Sequence, residues 1–361
     1  MDSRLLASLN EQASSTRDPV LWARTVCRAA SHFARHGNTS QALTSIAVVR
    51  SQFSDQLHPE VASWLMLAEG VLNYFQKKPR EAYDRIRRAH GLAVALNTES
   101  ALPSCAAWMA HMEFNECQYE QMAVHLEQAL LSAKPDDHQA LARASLVMAD
   151  AYQLVGEFDL ARPWYERTRQ SAAAEGDEAT VSAMLYNVAA FRAANVRLAD
   201  TFGLEITADF RRASIEASSA TTFDVAIGSS GLDFLTKMLW GLILTIEKKY
   251  LEASSVLESI NTESIHKRMI PLIQVDVSWC SANLGYLEDA WVLAKLASAQ
   301  LPICGEADDV AYINSRLSQI ADLCGRPDDV ETYRKPAIAA LAEHRKFQAK
   351  LLSRLMSIKT C

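Results

Sequence analysis

The sequence predicts an all-α fold, a right-handed α–α superhelix (solenoid) of about eight helix–turn–helix repeats. Three observations carry this. Gly and Pro number 12 and 10 in 361 residues, about 6%, which is half of average usage. Sandwiches and barrels need many turns rich in Gly and Pro, and phosphate-cradling loops need clustered glycines. Next, a small residue recurs at Ala42, Ala82, Ala123, Ala161, Ala253 and Ala290, with a worn copy at Val330. The spacings are 40, 41, 38, 92, 37 and 40 residues, and a gap of 92 holds two units, so a divergent repeat lies inside it. Finally, a turn residue precedes each small one: Gly37, Lys77, Gln118, Gly156, Lys248, Gly285 and Gly325.

Residues 1–22 form an N-terminal segment or cap, and 23–200 hold four repeats plus the first helix of the fifth. Upstream of the turns, Ala30, Gly70, Ala149 and Gly241 are flanked at helical offsets by large residues such as Val26, Phe33, Met66 and Tyr152. Where two antiparallel helices cross closely, a side chain larger than a methyl group forces the axes apart. Residues 201–233 read as a divergent connector. A helix spans 206–218, and 219–231 is the least helical stretch, either a long loop or a joint between two subarrays. Repeats six to eight occupy 234–335. Their first helix opens with a 13-residue apolar run, 234–246, which contains Lys237; it is too short to span a bilayer and suits a buried helix.

The best copy places Met148, Ala149, Tyr152, Ala161 and Tyr165 on positions of the W-x2-L-G-x2-Y…A-x3-F pattern. Pro135 and Pro302 end other copies. On these residues the chain resembles the tetratricopeptide repeat family over about residues 20–344. No copy is complete, and the unit is nearer 40 residues than the family's usual 34 or so. The resemblance implies a helical superhelix with protein-binding use, as in arrays of bacterial signalling and regulatory proteins, and says little of what is bound.

Charge and cysteines narrow the function. A net charge of −7 gives no whole-protein attraction to nucleic acid or anionic lipid. Seven scattered cysteines without a C-x-x-C pair read as reduced thiols in a cytoplasmic protein, and the N-terminus lacks a signal peptide. No nucleotide, kinase or zincin motif is present. His32 and His36 read as a solvated pair at the first turn, and His111 and Glu113 as structural. Gly228, Ser229, Ser230 and Gly231 lack the spacing of a nucleophile elbow. No catalytic residue, metal ligand or cofactor is therefore expected.

Binding residues are read from position relative to the small crossing residues, since the first helices of stacked pairs line a concave groove. They are Trp64, Leu67, Val71, Tyr74, Trp108 and Met112, then Arg143, Asp150, Gln153, Asn187, Phe191 and Asn195, and finally Trp279. Aromatic and Arg side chains commonly anchor interfaces; alternatively Trp64, Trp108 and Trp279 pack between repeats, as Trp164, Trp240 and Trp291 are expected to do. The groove positions hold few of the Lys and Asn residues of a chaperone-tail clamp.

The last segment, 336–361, reads as a basic amphipathic capping helix. From 334 to 361 seven Lys and Arg face Glu343 alone, and Phe347, Leu351, Leu352, Leu355 and Ile358 fall on one side. It either seals the last repeat, mediates a homodimer, or touches a membrane surface.

The sequence thus predicts a non-enzymatic scaffold or adaptor that takes a peptide or helix in its groove. The alternative is a sensory module whose output domain acts in trans, with an enzyme as a remote third. Because Ala161 marks a close crossing, Ala161→Leu is expected to lower unfolding free energy by roughly 1–3 kcal/mol through overpacking, read from urea denaturation.

Overall fold

In the computed structural model, which describes residues 3–55, 58–227 and 233–360, seventeen α-helices and three short 3-10 helices make up the regular structure of the described residues. α1 (Arg4–Ser15) stands alone at the N-terminus. The others form eight antiparallel pairs: α2 and α3 (Pro19–Arg35, Thr39–Gln52), α4 and α5 (Pro59–Phe75, Pro79–Ala95), α6 and α7 (Leu102–Asn115, Tyr119–Ser132), and α8 and α9 (His138–Leu154, Phe158–Glu175). They continue with α10 and α11 (Glu178–Thr201, Thr207–Ile227), α12 and α13 (Asp233–Ile246, Tyr250–Glu258), α14 and α15 (Ile270–Asn283, Leu287–Ala299), and α16 and α17 (Ala307–Leu323, Pro327–Met356). Among the described residues there is no strand, and consecutive first helices pack side by side, as in a tetratricopeptide-like solenoid.

Each pair turns through one left-handed residue. Gly37, Gly156, Gly285 and Gly325 have positive φ, and Lys77, Cys117 and Lys248 adopt φ of 57–61° at the equivalent places. A side chain there costs about 1–2 kcal/mol, so the surrounding packing holds these three. In the third repeat the turn residue is Cys117, one before the expected Gln118. The hidden fifth repeat turns at Gly203, φ 69°, midway through the long gap.

The small residues sit where the helices touch. A Cβ built on Gly70 would lie 2.5 Å from Ile86 Cγ1, and one on Gly241 would lie 2.5 Å from Leu257 Cδ2. Ala30, Ala149 and Ala161 are buried at the corresponding crossings. Helix starts are fixed locally: Asp18 accepts from the Val20 and Leu21 amides ahead of Pro19, and Asp137 and Asp177 accept from the Ala140 and Thr180 amides.

Two expectations need correction. The stretch from 219 to 227, expected to be irregular, is helical within α11, while 228–232 lie outside the described residues. No Gly or Pro interrupts 204–227. The hydroxyls of Ser218, Ser219, Thr221 and Thr222 each donate to the carbonyl four residues back. Such side chains usually compete with the helix; here they bond along it, and Ala213, Ala217 and Ala220 bury the other face.

The C-terminal helix also differs. It begins at Pro327, runs through Pro336 and continues to Met356 as one 30-residue helix, α17. Its distal half does not seal the last repeat. It reaches back to the middle of the array, where Leu351, Leu355 and Ile358 join the core of α6–α9. The Gln348 side chain donates to Leu154 O at 3.1 Å, and Lys350 meets Glu120 at 3.0 Å. The chain's own α7 and α8 thus cover the apolar face that suggested a dimer. Trp291 is buried, but Trp240 is 37% exposed rather than core.

Leu355 is 1% exposed, so Leu355→Ala is expected to cost roughly 2–5 kcal/mol by leaving a cavity. Lys350→Ala, which removes an exposed ion pair, is expected to cost under about 0.5 kcal/mol. Urea unfolding of both variants checks the contrast; equal effects would deny the docked arrangement.

Candidate binding cleft on the inner helices

The first helices α2, α4, α6, α8 and α10 bring three of the expected residues together. Tyr74, Trp108 and Arg143 form a box with His111: the Tyr74 and Trp108 rings are 6.2 Å apart, and each lies 5.3 Å from His111. The Arg143 guanidinium stacks over Trp108 at 4.3 Å. Asn115 on α6 closes the box by donating to the Tyr74 hydroxyl at 3.2 Å. Burial, then Arg143 and Arg35, holds the His111 imidazole well below its usual pKa, so the ring is neutral at physiological pH. Burial likewise brings Arg143 down to about 10, still charged.

Asp150, Gln153 and Asn187 gather in a second cluster around Tyr165. The Tyr165 hydroxyl donates to Asp150 Oδ1 at 2.7 Å, with the Gln153 side chain 2.8 Å away. Asn187 Nδ2 donates to Asp150 Oδ2 at 2.7 Å. Those two donors favour the carboxylate, yet burial outweighs them and pushes Asp150 up to about 7. Trp279 lies apart, under Arg316 at 4.5 Å; Arg316 pairs with Asp200 at 2.8 Å, tying α16 to α10.

The remaining expected residues divide. Trp64, Leu67, Val71 and Met112 are buried in the core of the first three pairs, with Trp64 only 2% exposed. They pack between helices and present no free surface. Phe191 and Asn195 on α10 are half-buried. Phe191 meets Phe114 edge-on at 6.1 Å, and among the described residues Asn195 Nδ2 bonds only the Phe191 carbonyl of its own helix, a partner it can exchange.

Sequence reasoning missed a basic stripe. Arg24, Arg28, His32 and Arg35 on α2 recur at helical spacing. Arg28 reaches Glu175 and Arg35 reaches Asp177, each at 2.7 Å, which joins the first pair to the end of the fourth and the start of the fifth. His32, expected in a solvated pair, is buried, its ring 4.4 Å from that of His36. Periodicity could have found the stripe, because four basic or imidazole residues on one face of an otherwise apolar helix need an acidic or aromatic counterpart. Arg24, which lies over the buried Trp64 ring at 5.3 Å, also borders an outer cleft of about 700 Å³ lined by inter-repeat loops and helix starts, including Glu60, Ser100, Lys134 and Asp137. Loops carry no helical stripe, so no periodic signal marks this cleft.

No family model matches this sequence, and no curated protein does. Among solved structures, the apo form of RapI aligns over 94% of this chain and 92% of its own, at 10% identity and a TM-score of 0.48.

Among the described residues, no helix is long and apolar enough to cross a membrane, and no group of three His, Cys, Asp or Glu side chains could hold a metal ion. Burial raises the thiol pKa of Cys117 and Cys304 to about 11, which disfavours the nucleophilic thiolate at neutral pH.

Because the native state holds Asp150 protonated to higher pH than the unfolded chain does, native stability is greatest below about pH 4 for this group. It is lost as pH rises through 7, by up to roughly 4 kcal/mol. Between pH 5 and pH 8 the wild type should lose roughly 2–3 kcal/mol more than Asp150→Asn in denaturation; parallel behaviour would place Asp150 in a solvated setting.

Proposed function

We propose that this helical repeat protein is a non-enzymatic adaptor or regulatory scaffold that binds a peptide or protein segment along its inner helices. The carrying observation is the set of half-buried amide and aromatic side chains that line α4, α6 and α10: Tyr74, His111, Asn115, Phe191 and Asn195. Side-chain amides offer both donor and acceptor, so they can pair with the backbone of an extended segment whatever its sequence. The flanking rings supply apolar contact at low entropic cost. Rings with neutral His111 between them suit a segment whose residues alternate apolar and polar. The buried part of the expected groove, from Trp64 to Met112, serves as the rigid wall that holds the amides at fixed spacing.

Peptides selected from a random library on the immobilised wild-type protein provide the test. Asn195→Ala and Asn115→Ala are each expected to weaken a selected peptide by about 5- to 30-fold, the worth of one or two buried hydrogen bonds, measured by calorimetry with folding verified by circular dichroism. Undiminished affinity in both variants would overturn the assignment.

A further inference from the structure

A small, partly open pocket lies where α1, α2, α8 and the start of α10 meet. It differs in kind from the peptide cleft, because its contents are dictated by charge. Three arginines reach it, Arg28, Arg35 and Arg143, against two carboxylates, Glu175 and Asp177. Arg28 and Glu175 form one ion pair and Arg35 and Asp177 the other. Arg143 is left over. It is 7% exposed, stacks on Trp108, and has no hydrogen bond or ion pair among the described residues. A buried charge without a direct counter-charge is costly; Asp177 and Asp150 act on Arg143 only at a distance, so the lining is one negative charge short of a pair for each arginine.

Two more donors in the lining are unsatisfied. Arg28 Nε and His32 Nδ1 are buried without a hydrogen-bond partner. Burial, then His36 and Arg35, lowers the His32 pKa to about 4, so its imidazole is neutral near pH 7 and can donate from Nδ1 without adding charge. The space is about 20 Å³, which admits one body the size of a water molecule. A carboxylate, phosphate or sulfate is too large, and water supplies no charge.

We propose that this cavity binds a single monatomic anion, chloride, held by Arg143 with the Arg28 Nε–H and the His32 imidazole as further donors, and covered by Leu5 and Leu9 of α1. The anion neutralises Arg143 and ties the N-terminal helix, the first pair and the fourth pair around one point. The proposal is independent of peptide binding, and its readouts involve no peptide.

The first experiment is thermal unfolding of the full chain in sodium gluconate, with gluconate replaced by chloride, bromide or sulfate at constant ionic strength and pH 7. Chloride and bromide should raise Tm by ~2 °C or more, saturably, as for any ligand bound only by the native state, and sulfate should not. Equal stabilisation by sulfate, or none by halide, overturns the proposal. Arg143→Met should abolish the halide dependence; a folded variant that keeps it also overturns the proposal. Should that variant fail to fold, wild-type crystals grown in bromide decide the question through anomalous scattering. A bromide peak beside Arg143 supports the site, and its absence refutes it.

Discussion

Each helix pair depends on a contact that admits nothing larger than a methyl group. At Gly70 and Gly241 even that methyl would strike the facing side chain at 2.5 Å, and elsewhere alanine fills the place. Close approach brings large residues on either side into contact over several turns, and dispersion sums over many atom pairs only at that distance. The left-handed turn residue sets the antiparallel direction, and the crossing sets the depth. With both repeated eight times, the inner faces of the first helices follow without further instruction. The interior amides, rings and arginines can then be polar without unsettling the fold, because stability resides between the helices of each pair.

That division explains what could be read in the chain before its structure. The spacing of Ala42, Ala82, Ala123 and Ala161 expresses a packing rule with a fixed period, so the eight pairs were legible, down to a turn near Gly203 in the repeat that lacks the pattern. The limits of α11 were not, because serine and threonine are read as loop formers. Whether their hydroxyls compete with a helix or bond along it depends on the alanines that hold the other face. The site was half legible. Tyr74, Trp108 and Arg143 lie on predictable stripes and do meet. Trp64 and Met112 lie on equally good stripes and, like Trp108, are buried in one core cluster; stripe position alone does not say which side chains stay accessible.

The long-range charges were invisible for another reason. Arg35 and Asp177 are separated by four repeats, and Arg28 and Glu175 by three. Arg197 on α10 reaches Asp309 on α16 at 3.2 Å, and Arg316 reaches Asp200. A local reading sees each as a solvated charge on a helix. Only the superhelix brings them together, where burial makes each pairing specific. α10, 24 residues long, receives arginine contacts from both directions and serves as a strut across the coil.

Return of α17 to α7 and α8 changes the kind of object this is. Stacked repeats ordinarily behave as a line, each unit feeling only its neighbours, so that ends fray, units can be added or removed, and unfolding can proceed from either terminus. Here the last helix is cemented to the third and fourth pairs, and the first pair is tied to the start of the fifth. A line whose ends are fastened to its middle has no free end from which to unzip. Loosening any one repeat must strain a loop of the others, so a disturbance at the inner face is felt at both termini together.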